Sequence, residues 1–300
     1  MGDSMKSNRL KNGSSSIQRK RSWVGFLFVL PFLTGFVIFF FIPFVWSIAY
    51  SFTGGVGGMR FVGLSHYQSL FASQAFQTAA VNTLRFLLIG VPLVIFFGLA
   101  VALVLYGEFK GNSLLRSVFL YPLTVPIAAL ITVVRFVFEK DGALNHMLSI
   151  FGMQGSDWLD SSAAFGVLIL IFVWKNCGYN MLLFLAGLYA IPNELVQTAQ
   201  LEGAKWQQIL WYIRLPLLKP TFFFTAVVSM MNSFKIFREA YLIGGESPDW
   251  SIYMLQHFMN NNFRNLNYQR LSAAAFLVFL FICLIVGILF WWKRRGDVEV

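Results

Sequence analysis

Residues 192–206 read Pro192-Asn193-Glu194-Leu195-Val196-Gln197-Thr198-Ala199-Gln200-Leu201-Glu202-Gly203-Ala204-Lys205-Trp206. The stretch continues Gln207-Gln208-Ile209-Leu210-Trp211-Tyr212-Ile213-Arg214-Leu215-Pro216 and closes on Leu217-Leu218-Lys219-Pro220. Asn193 suits a helix N-cap and Glu194 suits a first turn, where a carboxylate meets the positive end of the helix dipole. Gly203 allows a sharp turn into a second helix. In that second helix Trp206, Ile209, Leu210 and Ile213 recur at i, i+3, i+4 and i+7, giving one apolar stripe, with Lys205, Gln207 and Gln208 off it. The expected unit is a short helix-turn-helix lying on a membrane face. Periodicity alone equally allows an amphipathic helix resting at the lipid interface.

The flanks of this segment are apolar. Of 300 residues 57% are hydrophobic and 12% charged, and the 34 Phe outnumber the 23 Lys and Arg together. A soluble domain carries about 25% charged residues to cover its surface. An ordinary soluble enzyme, a disordered chain and a nucleic-acid-binding domain are therefore excluded, although the formal net charge is +10. A bilayer core of about 30 Å takes roughly 20 apolar residues in a helix. Six stretches qualify: 24–52, 86–106, 117–137, 163–189, 217–237 and 271–292. The first is too long for a signal peptide and ends in no small-residue cleavage site. Pro31, Pro43, Pro122 and Pro126 fall within spans, where neighbouring helices and local distortion satisfy the freed carbonyls. The expected fold is an all-α polytopic membrane protein with six transmembrane helices and a cytoplasmic helix-turn-helix at 193–216, between spans four and five.

Lys6, Arg9, Lys11, Arg19, Lys20 and Arg21 precede the first span, and Lys293, Arg294 and Arg295 follow the last. Positive charge retained in the cytoplasm places both termini there, together with Lys110, Arg116, Lys205, Arg214 and Lys219. Residues 1–22, polar and basic with Ser14-Ser15-Ser16, read as a disordered tail near anionic headgroups. Residues 23–295 form the transmembrane domain. Cys177 and Cys283 lie in apolar stretches and read as small buried hydrophobes. His66, His146 and His257 share no ligand spacing, so no metal site is expected. No G-x-x-x-x-G-K-[ST] loop is present; Gly54-Gly55-Val56-Gly57-Gly58 lacks the Lys and Ser/Thr and reads as a flexible turn. The chain is expected to be no enzyme, with any ATP hydrolysis supplied by another polypeptide.

The segment from 197 to 216 closely resembles the cytoplasmic "EAA" loop of ABC importer permeases: Glu-Ala-Ala, three residues, Gly, nine residues, Ile-x-Leu-Pro. Gln197-Thr198-Ala199, Gly203 and Ile213-Arg214-Leu215-Pro216 meet every spacing, with Gln197 and Thr198 departing from the leading Glu and Ala. The departure at Gln197 weakens any ion pair inferred there. Phe61-Val62-Gly63-Leu64-Ser65-His66-Tyr67, Asn82-Thr83, Tyr121-Pro122, Leu215-Pro216-Leu217-Leu218-Lys219-Pro220 and Gly244-Gly245 also resemble sugar-importer permeases. The likeness runs over roughly residues 20–295 and is to the maltose-transporter permease family, the carbohydrate branch of type I ABC importers.

That resemblance implies half of a translocation pathway for a sugar or oligosaccharide, in a bacterial-type inner membrane. It implies a second homologous permease, two ATPase subunits and an extracytoplasmic solute-binding protein as partners. It also implies no cofactor bound by this chain, ATP and Mg being used by the ATPase. Gln197, Ala199, Glu202, Gly203, Ala204, Ile213, Leu215 and Pro216 would couple to the ATPase through alternating access.

Polar residues within spans mark pathways, which singles out Trp174, Asn176 and Tyr179 on span four and Asn232 and Lys235 on span five. By resemblance Trp174, Tyr179, Met231, Asn232 and Lys235 fall on sugar-contacting positions. The alternatives are an interface belt for Trp and Tyr and helix-to-helix glue for the two Asn. Neutral sugar is the default solute; Lys175 and Lys235 raise an acidic sugar as the minority option, against neutralisation of Lys235 by Glu239 four residues on or snorkelling of lysines near span ends. Two rival functions remain: an ABC permease for a non-sugar solute, and an ion-coupled secondary carrier. The latter usually keeps carboxylates at mid-span, and neither these nor inverted half-sequences are visible here.

Overall fold

The computed structural model describes residues 26–55, 60–107 and 111–296, with backbone alone over 292–296. The basic tail expected at 1–22, Lys110, part of the Gly54–Gly58 run and the side chains of Lys293, Arg294 and Arg295 lie outside the described residues. The chain divides into two compact units, Met1–His66 with Tyr268–Phe276, and Tyr67–Asn267 with Leu277–Val300.

In the first unit, helix α1 (Phe26–Ser51) is apolar on every side, and none of its most apolar window is buried. Phe32, Phe36 and Phe40 stack along one edge at the i, i+4 spacing, with centroids 6.5 and 5.9 Å apart. Val37–Phe41 form a π turn, closed by the Ile42 N–H on the Val37 carbonyl, just before Pro43. Pro43 has no N–H to return to the preceding turn, and the wider turn accommodates that loss. Strands β1 (Thr53–Gly54) and β2 (Arg60–Phe61) follow as an antiparallel pair. Helix α13 (Tyr268–Gly296) begins in this unit. There Ser47 Oγ donates to Ser272 Oγ at 3.1 Å, and Gln269 Nε2 donates to Tyr50 Oη and the Gly55 carbonyl, each at 3.2 Å.

The second unit is built on α7 (Ala164–Tyr189), 56% buried over its apolar window against 28% for α3 (Gln74–Leu105). The cause is small residues at the crossings, which let backbones approach. A Cβ on Gly178 would stand 1.9 Å from the Phe119 carbonyl oxygen of α4 (Asn112–Thr124). One on Gly187 would meet Thr221 Oγ1 at 2.5 Å on α10 (Lys219–Lys235). Phe86, Leu168, Phe172 and Ile236 fill one apolar core; Ala102, Phe184, Leu188 and Leu218 fill another.

Span three, expected at 117–137 with Pro122 and Pro126 inside it, is strongly bent. Asn112–Thr124 and Ile127–Ile150 are bent by 98°. Proline disfavours helical backbone at the residue before it, and Val125, ahead of Pro126, is extended at ψ 123°. The far limb comprises α5 (Ile127–Phe138) and α6 (Ala143–Ile150). Span two is longer than its apolar core and starts at Gln74.

Helix α8 (Asn193–Leu201) and helix α9 (Trp206–Leu217) are joined through Gly203. Asn193 is not the cap: Pro192 holds that position, and Asn193 is the first helical residue. Helix α8 ends in a Schellman motif. Ala204 N–H donates to the Ala199 carbonyl at 2.9 Å and Gly203 N–H to Gln200 at 3.0 Å, with Gly203 at φ +85°. Leu210–Arg214 form a second π turn, closed by the Leu215 N–H on the Leu210 carbonyl and again followed by proline, Pro216. Helix α9 then bends by 65° into the stretch Lys219–Gly244, which holds α10 and α11 (Phe237–Gly244). Helix α2 (Ser65–Phe71), which enters this unit at Tyr67, and helix α12 (Leu255–Arg264) complete it. Among the described residues, four helices are long and apolar enough to cross a membrane, or six if each bent pair is one crossing.

Candidate functional site

Two polar stripes face one cavity. On α7 the stripe is Phe172, Lys175, Asn176 and Tyr179; on α10 it is Val228, Met231, Asn232 and Lys235. Each is spaced i, i+3, i+4, i+7, which places four side chains on one helical face. The helix break at Ile236 brings Arg238 and Glu239 of α11 to the same cavity, and Leu123 and Ile127 flank the bend of span three. The cavity measures about 460 Å³, within the usual range for a small-molecule site.

Lys175 Nζ lies 2.5 Å from Glu239 Oε1, with the two side chains 20% and 4% exposed. The pair staples α7 to α11. Of the two alternatives for Lys235, neutralisation by Glu239 is not the one seen: Glu239 turns to Lys175 instead. The cause is the break at Ile236, which interrupts the continuous helix that an i, i+4 pair requires. Lys235 Nζ donates to Asn232 Oδ1 at 3.2 Å.

Asn176 Nδ2 donates to the Phe172 carbonyl of its own helix at 2.9 Å. Among the described residues neither Asn176 nor Asn232 shows a hydrogen bond to another helix. An asparagine that does join helices was missed in the sequence: Ser229 Oγ donates to Asn180 Oδ1 at 3.1 Å, both buried. Asn180 lies one residue beyond Tyr179, and neither its type nor its spacing separates it from Asn176. The cavity thus gathers Asn176, Tyr179, Met231, Asn232 and Lys235. Trp174 is 42% exposed and is not among the lining residues.

The segment expected to couple is mostly surface. Gln197, Glu202, Gly203 and Pro216 are exposed, while Ala199, Ala204, Ile213 and Leu215 are half-buried. Of the apolar stripe, Ile209 is buried and Leu210 and Ile213 half-buried, whereas Trp206 faces outward. At the end of α9 a row of cations and rings links the segment to the helix ends. Arg214 Cζ stands 4.8 Å from the Tyr106 ring centroid, and Tyr106 lies 5.1 Å from Tyr189. Arg116 Nη2 donates to Tyr189 Oη at 2.8 Å and to the Leu105 carbonyl at 3.2 Å.

Asn82 and Thr83 anchor the segment after α11. Asn82 Nδ2 donates to the Tyr253 carbonyl at 3.0 Å, and Leu255 N–H donates to Thr83 Oγ1 at 3.0 Å. His257, one turn into α12, accepts the Met254 N–H at Nδ1 over 3.2 Å. It is fully buried against Phe237 and Tyr253. Burial pushes its imidazole from the ordinary 6.5 down to about 4, because the charged form has no water there. A second cavity, about 670 Å³, lies among Arg135, Glu139, Asp141, Asp157 and Asp160. Arg135 itself donates to the Leu242 and Ile243 carbonyls, at 3.0 and 3.2 Å, closing the end of α11.

The chain is 31% identical over 295 residues to a probable ABC transporter permease protein, YesP of Bacillus subtilis, covering 93% of this chain and 94% of that one. It is 28% identical to the trehalose/maltose transport system permease protein MalF of Thermococcus litoralis, covering 90% and 94%. The arabinooligosaccharides transport system permease protein AraP of Bacillus subtilis is 30% identical, covering 88% and 86%. In fold, the chain is similar to a bacterial ABC transporter involved in the import of the acidic polysaccharide alginate. The TM-score is 0.80 at 23% identity, covering 94% of this chain and 99% of that one. The model of binding-protein-dependent transport system inner membrane components matches residues 94–295, and the chain belongs to that family.

Proposed function

We propose that the chain is a permease subunit of an ATP-driven importer and forms half of the translocation pathway for a sugar or oligosaccharide. The observation that carries this reading is the pair of matched stripes on α7 and α10, which turn amide, phenol and ammonium groups into one cavity among apolar helices. An intramembrane polar cavity is costly unless it serves a solute. The relatives named for trehalose and maltose and for arabinooligosaccharides support carbohydrate as that solute.

A second permease, two ATPase subunits and a solute-binding protein complete the assembly in this reading. The chain itself binds no cofactor, and ATP and Mg act in the ATPase. The segment from Gln197 to Pro216 docks on the ATPase from the cytoplasmic side. Its exposed Leu201, Trp206 and Tyr212 supply an apolar surface for that contact. ATP binding draws the docked segments together and hydrolysis releases them, each step acting through different affinities for the two conformations. The Arg214–Tyr106–Tyr189–Arg116 row carries displacement of that segment toward α3, α4 and α7.

Purification from native membranes tests the assembly: ATPase, second permease and binding protein should accompany this chain. Uptake in proteoliposomes should require all of them. Uptake that persists without the ATPase and follows an ion gradient would show a secondary carrier instead. The topology has its own check. A cysteine at Gln208 should react with an impermeant thiol reagent only after the membrane is opened, and one at Ser73 in intact cells. Reversed labelling would overturn the orientation.

A further inference from the structure

Four charged side chains line the cavity: Lys175, Lys235, Arg238 and Glu239. Glu239 is the only carboxylate in that lining, and it is taken up by Lys175 at 2.5 Å. Among the described residues Lys235 is held by the neutral amide of Asn232 and by no carboxylate. Arg238 is exposed and makes no ion pair among the described residues. Two positive charges, three residues apart across the break at Ile236, therefore remain uncompensated beside the same cavity.

A neutral sugar is bound by stacking on its C–H faces and by hydrogen bonds to its hydroxyls. Tyr179, Met231, Asn232 and Asn176 already supply that chemistry. Ammonium and guanidinium N–H groups also donate to hydroxyl oxygens, but two uncompensated charges inside a membrane protein are expensive where only neutral groups meet them. A carboxylate changes the balance. A guanidinium grips it through two parallel N–H bonds, and an ammonium adds a compact point charge.

We propose that the cavity is a site for an anionic oligosaccharide, a short uronate chain whose carboxylates are taken by Lys235 and Arg238. Lys175 plays no part in this recognition, since Glu239 neutralises it; its task is to hold α11 against α7. The proposal rests on the reading of this cavity as the solute path and adds to it the charge of the solute.

The test uses the complete reconstituted complex, with binding protein in excess, and compares trimers of galacturonate and mannuronate with maltotriose. The wild type is expected to carry at least one uronate trimer. The double substitution K235Q/R238Q should raise its apparent KM at least tenfold, while the charge-keeping K235R/R238K should stay within a few-fold of wild type. Failure to carry either uronate trimer overturns the proposal, as does an unchanged KM in K235Q/R238Q. An equal loss in the charge-keeping pair also overturns it, since charge would then not be the cause.

Asn232→Leu and Tyr179→Ala separate the two levels of the reading. If they raise the KM of whichever trimer is carried and the charge substitutions do not, the anionic proposal falls and the pathway stands. If no substitution in the cavity moves any KM, the pathway reading falls as well.

Discussion

The cavity between α7 and α10 and the surface segment of α8 and α9 depart from the usual arrangement in opposite directions. The cavity brings polar groups inside. Lys175 meets Glu239, Asn180 meets Ser229, and the bonds are made within the chain. The segment turns apolar groups outside: α8 buries no residue, and Leu201 is 90% and Tyr212 80% exposed. A buried polar group is tolerable only when satisfied, whereas an exposed apolar patch marks contact with something else. The first region is thus stabilised by its own side chains. The second is shaped by its backbone, through one Schellman turn and one π turn, and presents its side chains outward.

The largest effect that would break this comparison is expected at Glu239. Glu239→Ala leaves the half-buried Lys175 without its counter-charge, which costs up to about 3 kcal/mol. The melting temperature of the purified complex should fall steeply, and Lys175→Met with Glu239→Leu should recover most of the loss. A single substitution without thermal effect would show that the cavity is not held by this pair.

His257 extends the buried side of the comparison to pH. Its neutral form is favoured in the folded state, so the stability it contributes is complete above the unfolded value near 6.5. That stability is lost as pH falls toward the folded value of about 4. The full loss is on the order of 3 kcal/mol. Protonation at Nδ1 also removes the acceptor that caps α12. Melting curves between pH 7.5 and 4.5 should show the decline, and His257→Gln should flatten it.

A smaller effect of another kind is expected at Asn232, whose amide bonds only Lys235 on its own helix. Asn232→Leu should leave the melting temperature nearly unchanged and weaken solute binding by roughly 1–3 kcal/mol, a factor of about ten to a hundred. A lowered melting point with normal affinity would assign Asn232 to structure.

At the surface segment the expected effect is on coupling, with a local strain confined to one turn. A Cβ on Gly203 meets no atom within 4 Å, but the residue holds φ +85°. Gly203→Val therefore strains the turn by about 1–2 kcal/mol without a clash. Stimulated ATPase and uptake should fall together while global stability barely moves. Unaltered uptake would detach the segment from coupling.

Both regions were partly legible in the sequence, for different reasons. The i, i+3, i+4, i+7 pattern of Lys175, Asn176 and Tyr179, and that of Met231, Asn232 and Lys235, are local features of single helices. Trp174 departs because it immediately precedes Lys175 and so points about 100° away from it. The Lys175 partner of Glu239 was not legible, because it is fixed by a break at Ile236 that no strong breaker marks. The 98° bend of span three was written in Val125-Pro126, but its angle depends on packing. Gly203 was legible as a turn, and Asn193 was displaced from the cap by its neighbour Pro192.

The two π turns carry a consequence for angular register. Each holds one residue more than an α-helical path would use, and one residue advances a helix by about 100°. A wheel drawn through Val37–Phe41 or through Leu210–Arg214 therefore assigns the wrong face to everything beyond it. In α9 the advance falls between Gly203 and Pro216, so the nine residues separating Gly203 from Ile213 already include the extra one. Deleting a single residue there would let the helix close as a regular α-helix, and Leu215 and Pro216 would keep their angle to Ile209, because the wider turn already absorbs the extra residue.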